Sequence, residues 1–158
     1  MQKKRGFTLI ELVVVIVILG ILAVTAAPRF LNLQSDARES SLQGLKGAML
    51  GAGSIVYSRS AIEGVETLPS HSVDNIDVVY GYPAATSTGI GAAVDGLQDD
   101  WVQIIRPQST ALATNKHIAY TFKDFDSTVF NDSDGCFVLY NEATSVAVSS
   151  VVIKDNKC

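Results

Sequence analysis

The groups in this chain that could do chemistry are two cysteines, two histidines, a few acidic and glycine-rich runs, and one glutamate inside an apolar stretch. Most of them lack the spacing that chemistry needs. His71 and His117 are far apart and have no metal-ligand spacing, and Cys136 and Cys158 form no Cys-x-x-Cys pair, so zinc and redox sites are not expected. Asp132-Ser133-Asp134-Gly135 resembles part of a calcium loop, but Phe130 and Asn141 stand where the first and last ligands belong; a turn before Cys136 is the better reading. Gly89-Ile90-Gly91-Ala92-Ala93-Val94 begins like a dinucleotide-binding loop, yet lacks the final glycine and a convincing strand and helix around it. No serine sits in a G-x-S-x-G elbow, and no acid pair can be located from spacing. Tyr80, Tyr82 and Trp101 could make a sugar-contacting surface, though such rings more often anchor a core or a loop. No cofactor is expected, and the chain does not read as an enzyme.

Glu11 is the exception. It lies in a run from Phe7 to Ala27 that is otherwise interrupted only by Thr8, Gly20 and Thr25. As a helix that run measures about 31 Å, enough to cross the hydrocarbon core of a membrane. A carboxylate there costs roughly 2.5–3.5 kcal/mol at the bilayer centre and less near the interface, so it calls for a partner. Snorkelling to the interface is the bland alternative. Lys3, Lys4 and Arg5 precede the run and orient its N-terminus toward the cytoplasm. Ala26-Ala27-Pro28 is a poor secretory cleavage site, so the run reads as a retained anchor.

Composition agrees with an anchored, exported chain. The 158 residues suit one ordinary domain, and 47% are hydrophobic against 18% charged. The formal net charge is -4, and the basic cluster at the N-terminus supplies part of the positive side, leaving an acidic remainder. Such a surface does not displace counterions from nucleic acid, so no nucleic-acid partner is expected. Two cysteines in an exported chain are most simply a disulfide, which closes the Cys136–Cys158 loop and contributes about 3 kcal/mol on the chain-entropy model.

Lys4-Arg5-Gly6-Phe7-Thr8-Leu9-Ile10-Glu11, set before an apolar helix, resembles the processing site of type IV prepilins. The resemblance implies that a prepilin peptidase cuts after Gly6, that Phe7 becomes N-methylated, and that Glu11 neutralises the N-terminal ammonium of a neighbouring subunit during assembly. That role is physically sound. A new amine with a pKa of about 7.7–8 is largely protonated, and burying it beside a carboxylate offsets much of the cost of burying either alone. The pair then selects one axial offset between subunits. The six-residue leader implies the type IVa group. Pro28-Arg29-Phe30-Leu31-Asn32-Leu33-Gln34-Ser35-Asp36-Ala37-Arg38 resembles the mannose-sensitive haemagglutinin pilins, with the match strongest over residues 1–60. In assembled relatives the stretch corresponding to Gly20–Pro28 loses helicity. The Cys136–Cys158 spacing resembles the disulfide-bounded C-terminal region of type IVa pilins.

The elements that must position these groups follow. Residues 1–6 are a cleaved basic leader and 7–27 a transmembrane and assembly helix. Residues 28–60 continue it amphipathically, with Phe30, Leu33, Ala37, Ser41, Leu45, Ala48, Ala52 and Ile55 as the apolar stripe. Pro28 weakens the rod by its missing N–H, and Gly20 by about 1 kcal/mol of propensity. Gly44, Gly47, Gly51 and Gly53 either allow a sheet to pack closely on the helix or end it near Leu50. Residues 61–100 read as a connecting loop region, with Ile76–Tyr80 a short strand at most. Residues 101–158 carry strands at Trp101–Arg106, Ile118–Phe122, Cys136–Asn141 and Ser145–Ile153. The fold class is α+β, a long N-terminal helix packed on a C-terminal antiparallel sheet.

The expected function is the major structural subunit of a type IV pilus, a helical homopolymer for adhesion and biofilm formation. A type II secretion pseudopilin is the alternative. Expected partners are other copies of the chain, prepilin peptidase, the inner-membrane pilus assembly machinery and membrane lipid before assembly; mannose-containing glycans enter through the resemblance alone. The precursor belongs in the inner membrane and the assembled form in an extracellular pilus.

Overall fold

The computed structural model describes residues 6–104, 116–125 and 134–158, and only the backbone of 27–32. Lys3, Lys4 and Arg5, the end of the expected strand at Arg106, and Phe130, Asp132 and Ser133 lie outside the described residues. The chain forms two compact units, Met1–Arg38 and Glu39–Cys158. Helix α1, Leu9–Glu63, supplies most of the first and enters the second. It is followed by β1 (His71–Val73), β2 (Ile76–Val79), β3 (Tyr82–Pro83), α2 (Ile90–Ala93) and α3 (Leu97–Asp100). The remaining strands are β4 (Trp101–Ile104), β5 (His117–Phe122), β6 (Phe137–Asn141) and β7 (Ser150–Lys154). The long helix followed by antiparallel sheet is the α+β arrangement expected.

In the second unit, β4 to β7 form a four-stranded antiparallel meander. Alternate side chains of a strand point to opposite faces, and here both faces of β6 are buried. Val138 and Tyr140 join Ile118, Tyr120 and Val151 against Leu42, Leu45 and Met49 of α1. Phe137 and Leu139 face the other way, clustered with Ile104 and Ala119. Each fully buried Leu or Val contributes roughly 1.5–3 kcal/mol, so the α1–sheet contact is the main stabilising layer of this unit.

The buried stripe of α1 is Leu42, Leu45, Met49, Ala52 and Val56, which shares Leu45 and Ala52 with the one expected and departs from it elsewhere. Ser41 and Ala48 are exposed, and Ile55 and Leu33 are 68% and 61% exposed. The expected stripe ran through Ser41, Ala48 and Ile55, whereas the core takes Leu42, Met49 and Val56, each one residue further along. The glycines also play another part. A side chain on Gly44, Gly47 or Gly51 would meet nothing within 4 Å, so no close packing on the sheet requires glycine there, and of the four only Gly53 comes near another element, at Ser149 Oγ before β7. Nor does the helix end near Leu50; it continues to Glu63, where Gly64 adopts φ +71.

The expected loop region holds a second, three-stranded antiparallel sheet, β1-β2-β3. Both of its hairpins turn through two residues with positive φ: Asp74 (50°) and Asn75 (64°), then Tyr80 (48°) and Gly81 (80°). That is the type I′ geometry, which matches the right-handed twist of the flanking strands. Val73 and Val78 pack on Val56 near the end of α1. The last expected strand is shortened at its start, because Thr144 and Ala147 exchange backbone hydrogen bonds around a tight turn and β7 begins only at Ser150.

Candidate functional site: the N-terminal segment

Gly6 and Phe7 precede the first turn of α1 outside regular secondary structure, and Phe7 is 84% exposed. Thr8 is the residue before the helix. Its backbone N–H and its hydroxyl both donate to Glu11 Oε2, at 2.8 and 2.7 Å, and the Glu11 N–H reaches Thr8 Oγ1 at 3.3 Å. Thr8 and Glu11 thus form a reciprocal capping box, which satisfies donors that a helix start otherwise leaves open. Sequence reasoning missed this partner. The Thr-x-x-Glu pattern directly before an apolar run was the signal that could have found it.

From Leu9 to Ala26 the helix has a mean hydropathy of 3.0 and no buried residue, so it is long and apolar enough to cross a membrane. Isoleucines, leucines and valines stand out all round it, which is the pattern of a segment that must be covered by lipid or protein. Gly20 lies in open space on this helix, and the backbone is helical through both Gly20 and Pro28. Thr25 returns its hydroxyl to the carbonyls of Ile21 and Leu22.

At the other end of the chain, Cys136 and Cys158 are joined as a disulfide. The tail is also held by Lys157 N–H to the Gly135 carbonyl at 3.2 Å and by Asn156, which accepts from Gly135 N–H at 2.9 Å and donates to Asp134. The acidic run before Cys136 therefore contributes Asp134 to a local staple. His71 and His117 sit on β1 and β5, strands of different sheets, and the structure does not bring them together. Among the described residues no three His, Cys, Asp or Glu side chains gather as metal ligands. Gly89 is required by packing, since an added Cβ would lie 2.2 Å from the Ala84 carbonyl oxygen. The aromatic residues divide: Tyr82 stacks on Tyr57 at 4.6 Å, whereas Trp101 packs on Phe122 at 4.5 Å in the larger sheet. Tyr57, on α1, was not anticipated as part of that group.

Residues 1–27 match the family model described as the prokaryotic N-terminal methylation motif. Among curated proteins, the type IV narrow pilus major component PilA5 of Thermus thermophilus is 34% identical over 87 residues, 55% of this chain and 66% of that protein. The fimbrial protein EcpC of Eikenella corrodens is 41% identical over 61 residues, 39% of this chain and 40% of its own. The type II secretion system core protein G of Klebsiella pneumoniae is 45% identical over 53 residues, 31% of this chain and 38% of its own. The chain thus spans about 66% of the first of these relatives and 40% or less of the other two. No solved structure matches it.

Proposed function

We propose that this chain, similar to type IV pilins and fimbrial proteins and carrying their N-terminal methylation motif, is the major subunit of a type IV pilus. The observation that carries the reading is the junction of two features. A methylation motif runs directly into an apolar helix with no buried residue, and that helix starts on the Thr8–Glu11 box. Such a helix is satisfied first by lipid and then by a bundle of its own copies. Cleavage after Gly6 frees the amine of Phe7, its methylation keeps the charge, and Glu11 supplies the counter-charge of a neighbouring copy. Gly20 and Pro28 give the helix a place to open once other copies can satisfy its backbone. The run from Pro28 to Arg38 supports a pilin of the mannose-sensitive haemagglutinin kind, with attachment and biofilm formation as its use.

A second reading, a type II secretion pseudopilin, is favoured by the likeness to core protein G. Electron microscopy of filaments sheared from cells, with mass spectrometry of their main protein, separates the two. A major pilin dominates the sheared filaments and starts at methylated Phe7. Absence of the chain from surface filaments, with the processed form retained in the periplasm, sinks the pilin reading in favour of the pseudopilin.

A further inference from the structure

A cleft of about 270 Å³ opens in the second unit between the smaller sheet, α1 and the loop before β7. Tyr57, Tyr80 and Tyr82 border it, with Val146 and Val148 at its rim. Glu66 is the sole charged side chain among the described residues lining it. Its Oε2 is buried and has no hydrogen-bond partner among the described residues, an unusual state for a carboxylate oxygen.

The tyrosine side of the cleft is built tightly. Tyr80 occupies the first position of a type I′ turn at φ 48°, where asparagine or glycine is the usual choice. The turn is held by Tyr80 N–H to the Leu68 carbonyl at 2.8 Å and by the buried Ser60 hydroxyl, which donates to the Gly81 carbonyl at 3.1 Å. A Cβ on Gly81 would lie 2.9 Å from the Tyr57 ring and 3.0 Å from Glu66 Cα, so turn, ring and acid close on one another without slack. Backbone held in a sparsely populated conformation is a common feature of ligand clamps.

We propose that this cleft binds a quaternary ammonium group of the choline type. Electron-rich tyrosine rings attract a cation, the Glu66 carboxylate supplies its counter-charge from the cleft wall, and the valines receive its methyl groups. A sugar is the competing occupant, since its hydroxyls would donate to Glu66 and Thr67, Thr144 and Ser145 also line the cleft; three tyrosine rings beside a single acid favour the cation. The volume is just below the roughly 300–1,000 Å³ range of pockets that enclose drug-sized ligands, which suits a single small headgroup.

The test is isothermal titration of the full chain in a polyoxyethylene ether detergent, which carries neither sugar nor ammonium, against sodium chloride as baseline. Choline and tetramethylammonium should saturate in the millimolar range. Glu66→Gln should weaken choline about tenfold, and Tyr80→Asn about fivefold. Tyr80→Asn suits the type I′ turn better than tyrosine does, so its thermal melting should hold or rise while binding falls. A comparison of choline with glycerophosphocholine distinguishes the free cation from a lipid-type headgroup, since a phosphate beside Glu66 weakens binding only if the site takes the bare cation. Failure of choline to saturate, or equal binding by wild type and both variants, overturns the proposal. So does saturation by methyl mannoside in place of choline, lost in the same variants, which would make the cleft a sugar site.

Discussion

Tyr140 lies buried on β6 of the larger sheet, and its hydroxyl donates to the carbonyl of Pro83 on β3 of the smaller one at 2.7 Å. Burial is the main influence on its ionisation and pushes the phenol from 10.0 up to about 12, with Glu142 and Tyr82 pushing the same way and a Ser149 hydrogen bond opposing. The phenol is neutral when protonated, so the folded state holds its proton more tightly than the unfolded chain does. Its contribution is fully present below pH about 10 and is lost as the pH rises toward 12, by roughly 3 kcal/mol in all. Tyr140→Phe should cost about 1 kcal/mol at neutral pH, through the lost hydrogen bond, and should flatten the decline at high pH. Denaturant unfolding of both chains from pH 8 upward checks this. Parallel alkaline slopes for wild type and variant would refute it. Burial also raises the Tyr120 phenol, so a shallower slope remains in the variant.

At the scale of the element, legibility depended on how much of each signal was local. The start of α1 was readable because an apolar run and a processing motif coincide within a few residues, although the capping pattern beside them went unused. Its buried stripe was readable only at Leu45 and Ala52, because Ser41 and Ala48 repeat at the same period as Leu42 and Met49 and only the sheet decides between them. The hairpins of residues 71–83 escaped notice for two reasons: strands of two to four residues are too short to alternate, and Tyr80-Gly81 lacks the Asn-Gly signature. Val146 and Val148 alternate with small residues like a strand, yet they project to solvent from a turn. Tyr80 and Tyr82 were grouped from the sequence, but their meeting with Tyr57 and Glu66 was not legible, since α1, the loop after it, a turn and β3 supply the group jointly. The C-terminal crosslink was legible from the cysteine pair, and it carries a prediction. Cys158→Ser removes the bond and leaves Cys136 as a buried thiol, so melting should fall by roughly 10 °C for a loss of about 3 kcal/mol. Cys136→Ser should fall further, because it also buries a hydroxyl. Unchanged thermal melting of both variants would show that the hydrogen bonds of the tail suffice without the disulfide.

For the whole molecule, the contrast between units states the functional problem. The unit from Glu39 onward has its own core and crosslink, whereas the unit up to Arg38 presents an apolar helix with nothing buried between Leu9 and Ala26. Membrane or other copies must cover that helix, and Glu11 is the one acidic side chain in it. Two roles compete for this carboxylate: capping its own helix through Thr8, as the structure shows, and pairing with the amine of a neighbouring chain, as the filament reading requires. Glu11→Ala removes both, so it cannot separate them. Glu11→Gln keeps an oxygen that can accept from Thr8 and removes only the charge. If the charge sets the register between copies, both variants should insert in the membrane, and both should yield at least about tenfold less sheared filament than wild type. If Glu11→Gln assembles normally while Glu11→Ala does not, the capping box alone explains the residue, and the ion-pair account of assembly falls.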